Sequence, residues 1–560
     1  GGHPRLAGEA SPPVAGPVNR VTALTVPALL AGAAETFGDR TYVVTPAERL
    51  SYRQAADRSA RLARWLLREG VGKGTRVGLF FPNGTDWIVW WLAVSRIGAL
   101  AVPLSTLYQP AEIAKVVRLA DIAVLIAPGT VLSIDVPARF EQAWPELAGQ
   151  RAGQLALTAA PYLRTIVLTE PTDRPWAARW KPDAATAAPE LLSAVEAEVS
   201  PADLAVMVHT SGSTADPKGV LHTHGTLVRQ TSTWPAAIWA VTRGSGTGSH
   251  TGAESGAGTA DEPRILCAMP FFWIGGLLAA TGALHDPVTL LVLPKLDAGT
   301  ALDLIETERA TGVVGWPAFT RRLRDHPTFD ERDLGSAPML RHGPLDIAMT
   351  DVPDGFPVHR TMSETAGGFA FTEMRIVDGN GDPVPDGTVG ELLVRGIGVM
   401  AGYNKRERWE VFDADGWYHT GDRVYRKPGD PRLFYVGRTT ELIKSGGANV
   451  SPLEVEAVIE QSPAVAQCVV VGVDDPDRGE QVCAVVVPTH SGDHGLDVDS
   501  LAAQVGSQLS SYKVPTRWVV ARADQIPTLP SGKFDRRTLR ARVSDGTLNA
   551  VQPVNADSRR

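Results

Sequence analysis

Between residues 41 and 128, short apolar runs alternate with helix-like stretches, and that alternation leaves few architectures open. TYVVT (41–45), RVGLFFP (76–82), ALAVPL (99–104) and DIAVLIAP (121–128) read as strands. Between them, residues 52–69 place Ala55, Leu62, Trp65 and Leu66 at helical spacing, and further helices are predicted at WIVWWLAV (87–94) and near 110–119. Strands apolar along their whole length, each followed by a helix, predict a parallel sheet covered on both faces. RTIVLTE (164–170), LAVMV (204–208), ILCAMPFF (265–272), VTLLVLP (288–294) and GVVGWP (312–317) extend the same pattern.

From Met374 the texture changes to shorter strands, MRIVD (374–378) and GELLVRG (390–396), then a turn-rich passage over 402–422. This predicts a β-rich unit closing a large domain. FYVGR (434–438) leads into a Gly-rich loop and a helix capped near Ser451 with Pro452 in its first turn. AQCVVVGV (466–473), EQVCAVVVP (480–488), a helix at 501–509 and RWVVA (517–521) then form a second domain. The expected plan is α/β: a flexible arm over 1–20, a large domain over 21–437, a small mobile α+β domain over 438–545 and a tail over 546–560. The large domain is read as αβ-layered subdomains with mostly parallel sheets plus the β-rich subdomain. Its Gly/Ser/Thr/Ala-rich stretch 242–262 is read as a flexible insertion.

Composition narrows the function. Lys and Arg number 54 against 62 Asp and Glu, a net charge of −8, which argues against a nucleic-acid surface. The three cysteines, Cys267, Cys468 and Cys483, lie far apart inside apolar runs and read as core residues of a protein from a reducing cytoplasm. The N-terminal residues lack the apolar core of a signal peptide, and 87–94 is far short of the ~20 residues a membrane span needs. Oligomeric state stays open, a homodimer included.

The stretch HTSGSTADPKGVLHTHG (209–225) carries the first chemistry. Thr210, Ser211, Ser213 and Thr214 supply hydroxyls, Gly212 lets backbone N–H groups turn toward an anion, and Lys218 adds a positive charge. That is phosphate-binding chemistry without the GxxxxGK[ST] spacing of a P-loop. A plain polar turn between a strand and a helix has the same composition. The residues TSGSTADPKG closely resemble the signature loop of the adenylate-forming superfamily, which holds acyl-CoA synthetases, luciferases and carrier-loading adenylation domains.

Further stretches resemble that family's motifs in its own order, from about Val21 to Arg542. YHTGD (418–422) matches the acidic motif, which implies that Asp422, held in a turn, accepts from the ribose hydroxyls. GRTTELIKSGGANVSPLEVE resembles the hinge-and-loop motif. The resemblance implies that Arg438 and Lys444 approach the nucleotide, that Thr440 is the hinge, and that Ser445, Gly446 and Gly447 belong to a coenzyme A and hinge loop. IPTLPSGKFDR (526–536) resembles the motif of the mobile catalytic lysine, here Lys533, a cation suited to the charge of the leaving pyrophosphate. RTMSETAGG (360–368) is a partial match in which Thr361, Met362 and Ser363 would contact the nucleotide and Glu364, with Thr210, would hold magnesium. Gly343 is a further candidate nucleotide contact. MPFFWIGG (269–276) and VVGWPAF (313–319) resemble acyl-pocket segments, with Phe272, Trp273 and Trp316 as an apolar slot and His224 beside the carboxylate.

The chain also departs from the family. Ala215 stands where relatives commonly have glycine, Arg360 and Thr361 replace an aromatic and a glycine, and Thr440 replaces an aspartate or lysine. The passage from Glu364 to Met374 is shorter than the resemblance leads one to expect.

Taken together, the resemblance implies an ATP-dependent carboxylic acid:CoA ligase acting on a fatty or other hydrophobic acid, with ATP, Mg2+ and coenzyme A as its small-molecule partners. A stand-alone carrier-loading enzyme or a luciferase-like oxygenase shares the motifs. A non-catalytic nucleotide or acyl sensor is the reading from another class.

Overall fold

The structure is a computed structural model that describes residues 23–210, 216–235, 238, 262–315, 317–342, 361–362, 372–429, 433–438, 442–489, 496–528, 534–548 and 550–551. It contains two largely parallel sheets, an antiparallel sheet and a small-domain sheet.

The predicted alternation produces an eight-stranded sheet in the order 402–403, 218–223, 204–210, 100–103, 76–79, 124–127, 165–168 and 177–179. Its strands from 204–210 through 177–179 run parallel, as fully apolar strands with crossover helices should. A five-stranded sheet orders 312–314, 264–267, 289–291, 41–44 and 49–51, and all but the last strand are parallel. The helix Thr85–Arg96 buries Trp87, Trp90 and Trp91 in the core. Among the described residues no helix is long and apolar enough to cross a membrane.

Strands 361–362, 433–438, 418–426, 390–395 and 373–377 form the antiparallel sheet, the β-rich unit expected from the sequence. It is tied to the eight-stranded sheet through Gly402–Tyr403, which pairs with Val220 and Leu221. The sheet order changes after Arg438: the next strand, Ile443–Ser445, belongs to the small-domain sheet with 448–450, 465–475, 479–488, 517–520 and 550–551.

Two boundary expectations are corrected. The reading of 546–560 as tail fails at its start, because Leu548 is buried and Ala550–Val551 pair with Trp518 and Val519 as an added strand. Leu548, Ala550 and Val551 make too short an apolar group to give a periodic signal. At the other boundary, Glu262 is part of the folded body, ion-paired to Arg40 at 3.0 Å. The rest of the expected insertion, 242–261, and the expected arm, 1–20, lie outside the described residues. The three cysteines are buried and unpaired by disulfide, and burial pushes the Cys267 and Cys483 thiols up to about 12.

Candidate active site

The phosphate-type loop does not open a helix. Strands Leu204–Thr210 and Lys218–Thr223 are antiparallel, with Thr210 opposite Lys218, so residues 211–217 close a hairpin and the next helix begins only at His224. Ser211, Gly212, Ser213, Thr214 and Ala215 lie outside the described residues. The hairpin's base is well fixed. Gly219 packs so tightly that a Cβ would meet the Met207 sulfur at 2.7 Å, and Lys115 Nζ lies 2.5 Å from Asp216 Oδ1.

Lys218 is half-buried with its ammonium 5.2 Å from the centre of the Tyr403 ring, a cation–π geometry. Desolvation, then the charge of Arg406, holds its pKa below the ordinary lysine value. The Tyr403 hydroxyl in turn lies 2.6 Å from that of Tyr418, the first residue of the acidic motif. Two motifs separated by about 200 residues therefore share one polar chain, from Lys218 through Tyr403 to Tyr418.

Asp422 does not sit in a turn, as the sequence suggested. It lies inside the nine-residue strand Tyr418–Arg426, at a β-bulge: Gly421 has φ 72° and the pairing register shifts on both neighbours. Thr420 Oγ1 donates to Leu392 O at 2.7 Å and accepts from the Asp422 amide at 3.0 Å, while the Gly421 amide donates to Glu391 Oε1 at 3.1 Å. A TGD sequence thus reads like a turn because one of its residues does adopt a turn conformation, within an otherwise continuous strand.

Asp422 stands opposite Arg438 across the ladder, and on Arg438's strand Phe434 and Leu433 pair with Thr361 and Met362. Three separate stretches of sequence, at 361–362, 422 and 438, are adjacent strands of one sheet. Ser363, Glu364, Gly343, Thr440 and Lys533 lie outside the described residues.

The stretch expected to be a Gly-rich loop is a hairpin. Ile443–Ser445 pairs with Ala448–Val450, Ser445 opposite Ala448, and the two connecting residues Gly446 and Gly447 have φ 59° and 87°. Positive φ at both central positions is the type I′ requirement that Gly-Gly satisfies without strain. Lys444 is exposed on this hairpin, and its amide donates to Glu480 Oε2 at 2.7 Å.

On the expected acyl side, Phe272 is buried and Trp273 half-buried, their rings 5.4 Å apart and edge-to-face. Sequence reasoning missed the residue that shapes this turn. Asn83 donates from Nδ2 to Met269 O at 2.9 Å and accepts at Oδ1 from the Phe271 amide at 2.7 Å. Its place in PNGTD, between a strand and a tryptophan-rich helix, was the available signal. Gly276 lets the turn close, since a Cβ there would lie 2.2 Å from Pro270 O. Trp316 lies outside the described residues.

His224, expected beside the substrate carboxylate, directly follows strand Lys218–Thr223. It is wholly buried at the start of helix His224–Thr231, and its Nδ1 accepts from the Val26 amide at 3.2 Å. Burial, its largest cause, lowers its pKa to about 4.

Among the described residues, no group of three or more His, Cys, Asp or Glu side chains is gathered to hold a metal ion.

Comparison with known proteins gives matches along most of the chain. Residues 30–345 match the model of the AMP-binding enzyme family, and residues 454–533 match that of the AMP-binding enzyme C-terminal domain. A feruloyl-CoA synthase from Amycolatopsis sp is 31% identical over 520 residues, 88% of this chain and 94% of that protein. A medium/long-chain-fatty-acid–CoA ligase from Mycobacterium tuberculosis is 27% identical over 562 residues, covering 93% of this chain and 91% of its own. The solved structure of the amide bond synthetase McbA from Marinactinospora thermotolerans superposes with a TM-score of 0.69 at 25% identity, over 92% of this chain and 100% of that one.

Proposed function

Since this chain belongs to the AMP-binding enzyme family of adenylate-forming enzymes, in its acid–CoA ligase branch, we propose that it activates a fatty or other hydrophobic carboxylic acid and transfers the acyl group to coenzyme A. In the first half-reaction a carboxylate oxygen attacks the α-phosphorus of ATP, and pyrophosphate leaves. In the second, the thiol sulfur attacks the acyl carbon and AMP departs, its phosphate now a good leaving group.

One observation carries the assignment of residues: strands 361–362, 433–438 and 418–426 are neighbours in one sheet, with Asp422 opposite Arg438 and Thr361 opposite Phe434 on the same central strand, and Tyr418 bonds through Tyr403 to the base of the Thr210–Lys218 hairpin. A nucleotide laid across this edge would offer its ribose hydroxyls to Asp422 and its phosphates to Thr210, the 211–214 hydroxyls and Lys218. Charge-assisted bonds of this kind contribute ~1.5–3 kcal/mol each. Arg438, Thr361, Met362, Ser363 and Gly343 are proposed along the nucleotide, and Lys533 is proposed to meet the phosphate charge during adenylation. Glu364 and Thr210 would hold the magnesium that accompanies ATP and supplies further charge neutralisation. Lys444 is proposed to approach the nucleotide from the small domain during thiol transfer, and Ser445, Gly446 and Gly447 are assigned to the coenzyme A and hinge loop, with Thr440 as hinge.

Trp273 supports a hydrophobic substrate, because it is a half-buried apolar ring packed on buried Phe272 at a turn fixed by Asn83. Three buried thiols suit a reducing compartment, and action in the cytoplasm is proposed. The likeness to an amide bond synthetase favours one second reading, in which an amine accepts the acyl group.

The test is ATP–pyrophosphate exchange against a panel of acids graded by chain length and aromaticity, followed by AMP release with coenzyme A or with amines. Exchange with hydrophobic acids and CoA-dependent AMP release are expected. Release driven by amines alone would move the acceptor to the second reading, and exchange restricted to small polar acids would overturn the substrate class.

A further inference from the structure

Glu112, Lys513, Glu454 and Ser510 form a buried polar cluster across the seam between the two domains. Lys513 Nζ lies 2.7 Å from Glu112 Oε1 on the large-domain helix Pro110–Leu119, and 2.9 Å from Glu454 Oε1 on the small-domain helix Pro452–Ile459. Ser510 donates to Glu112 Oε2 at 2.7 Å. All three charged side chains are less than a tenth exposed.

Burying two carboxylates around one ammonium is costly unless every member is paired, and here each is. Desolvation works against the Lys513 charge, but Glu112 and then Glu454 outweigh it and hold the ammonium above its ordinary pKa. Glu454 is displaced upward, because its burial outweighs the attraction of Lys513. The cluster is therefore fully paired only while the seam is closed, and separating the domains would return three charges to water.

Its neighbours lie on the proposed reaction path. Tyr512 sets its ring edge-to-face against Trp273 at 6.3 Å. Strand Ala448–Val450 of the Lys444 hairpin lies against the 511–513 turn. The helix that receives Lys513 also holds the phosphate hairpin, through Lys115 and Asp216.

We propose that this cluster is an interdomain latch in which Lys513 is a positioning residue, fixing the small domain for one of the two half-reactions and yielding for the other. The half-reaction assignment rests on the acid–CoA ligase reading; the closure of the seam does not.

The test uses the whole 560-residue chain with Glu112→Gln, which keeps volume and an acceptor for the Gln109 amide at the start of the helix but removes the charge, and Ser510→Ala, which removes one hydrogen bond. Two readouts are taken. Amide hydrogen exchange in segments 108–119 and 509–514 should rise about tenfold in Glu112→Gln, the change expected from one lost charge-assisted bond, with a smaller rise in Ser510→Ala. Pyrophosphate exchange and thioester formation from supplied acyl-adenylate should change unequally, shifting their ratio about tenfold. Unchanged exchange at the seam overturns the latch. So does an equal loss of both half-reactions in a variant whose melting temperature is unaltered, since a merely structural contact would act on both alike. If no acid supports either half-reaction, the ligase reading fails while hydrogen exchange still decides whether the seam is latched.

Discussion

Two β-hairpins, one in each domain, carry lysines proposed to act on the same substrates, and they are built in opposite ways. The large-domain hairpin, 204–210 with 218–223, sits within an eight-stranded sheet, and its Lys218 is half-buried over Tyr403. The small-domain hairpin, 443–445 with 448–450, lies at a sheet edge, joined to strand 479–488 through Ser445 and Gly479, with Lys444 exposed. The first spans a loop long enough to surround an anion. The second turns in two glycines. A desolvated cation on a fixed frame suits holding phosphates, whereas an exposed cation on a compact projection suits a group that arrives with a moving domain.

That contrast makes the lysines separable by step. The largest effect is expected at Lys533, on neither hairpin: Lys533→Ala should slow adenylation by roughly 100- to 1,000-fold while sparing thioester formation from supplied acyl-adenylate. Equal loss of both steps would remove the distinction between a cation that drives pyrophosphate out and cations that hold ground-state groups. Next, Lys218→Ala should lower pyrophosphate exchange about 10- to 100-fold, as for one lost charge-assisted contact. Lys444→Ala should act mainly on thioester formation. If both variants depress the same half-reaction to the same degree, the two hairpins are not specialised.

A smaller effect probes the turn itself. Gly446 has φ 59° and open space where a Cβ would project, so Gly446→Ala brings backbone strain with no clash. Left-handed backbone costs a non-glycine residue about 1–2 kcal/mol, which predicts a lowered small-domain melting transition and an unchanged large-domain one. Gly446→Asn should recover part of the loss, because asparagine tolerates that region. Wild-type melting in both variants would mean that the hairpin is not held to its type I′ geometry.

How far the sequence revealed these features follows from the range of the forces involved. The helix Pro110–Leu119 was legible to its ends, because a proline at its first position and an apolar face are local signals. Apolar strands such as Val124–Ala127 were equally plain. The hairpin nature of 204–223 was not, since antiparallel pairing is set by the partner strand and TSGSTADPKG is compatible with either exit. YHTGD read as a turn because Gly421 does leave the β region, and only the ladder on both sides shows a bulge. The burial of His224 was not legible either, because its ring is held by the Val26 amide, 198 residues away. The partners Glu112 and Lys513, 401 residues apart, leave no trace in either local sequence.

The mildest perturbation, pH, should also divide the hairpins. His209 and His222 lie on the two strands of the large-domain hairpin, and burial holds both down to about 4; the small-domain hairpin contains no histidine. A depressed folded-state pKa means that these rings stay neutral in the folded state above pH 4, whereas the opened chain takes up protons near 6.5. Stability is therefore complete above 6.5 and falls as pH drops toward 4. Between pH 7 and 6, each exposed histidine should lower the free energy of opening by about 0.7 kcal/mol, a roughly threefold gain in opening. Amide exchange in 204–210 and 218–223, corrected for the intrinsic pH dependence, should show that gain, and 443–450 should not. A matching gain in 443–450 would mean that the two hairpins open together, and the contrast between a fixed and a portable lysine would have no physical basis.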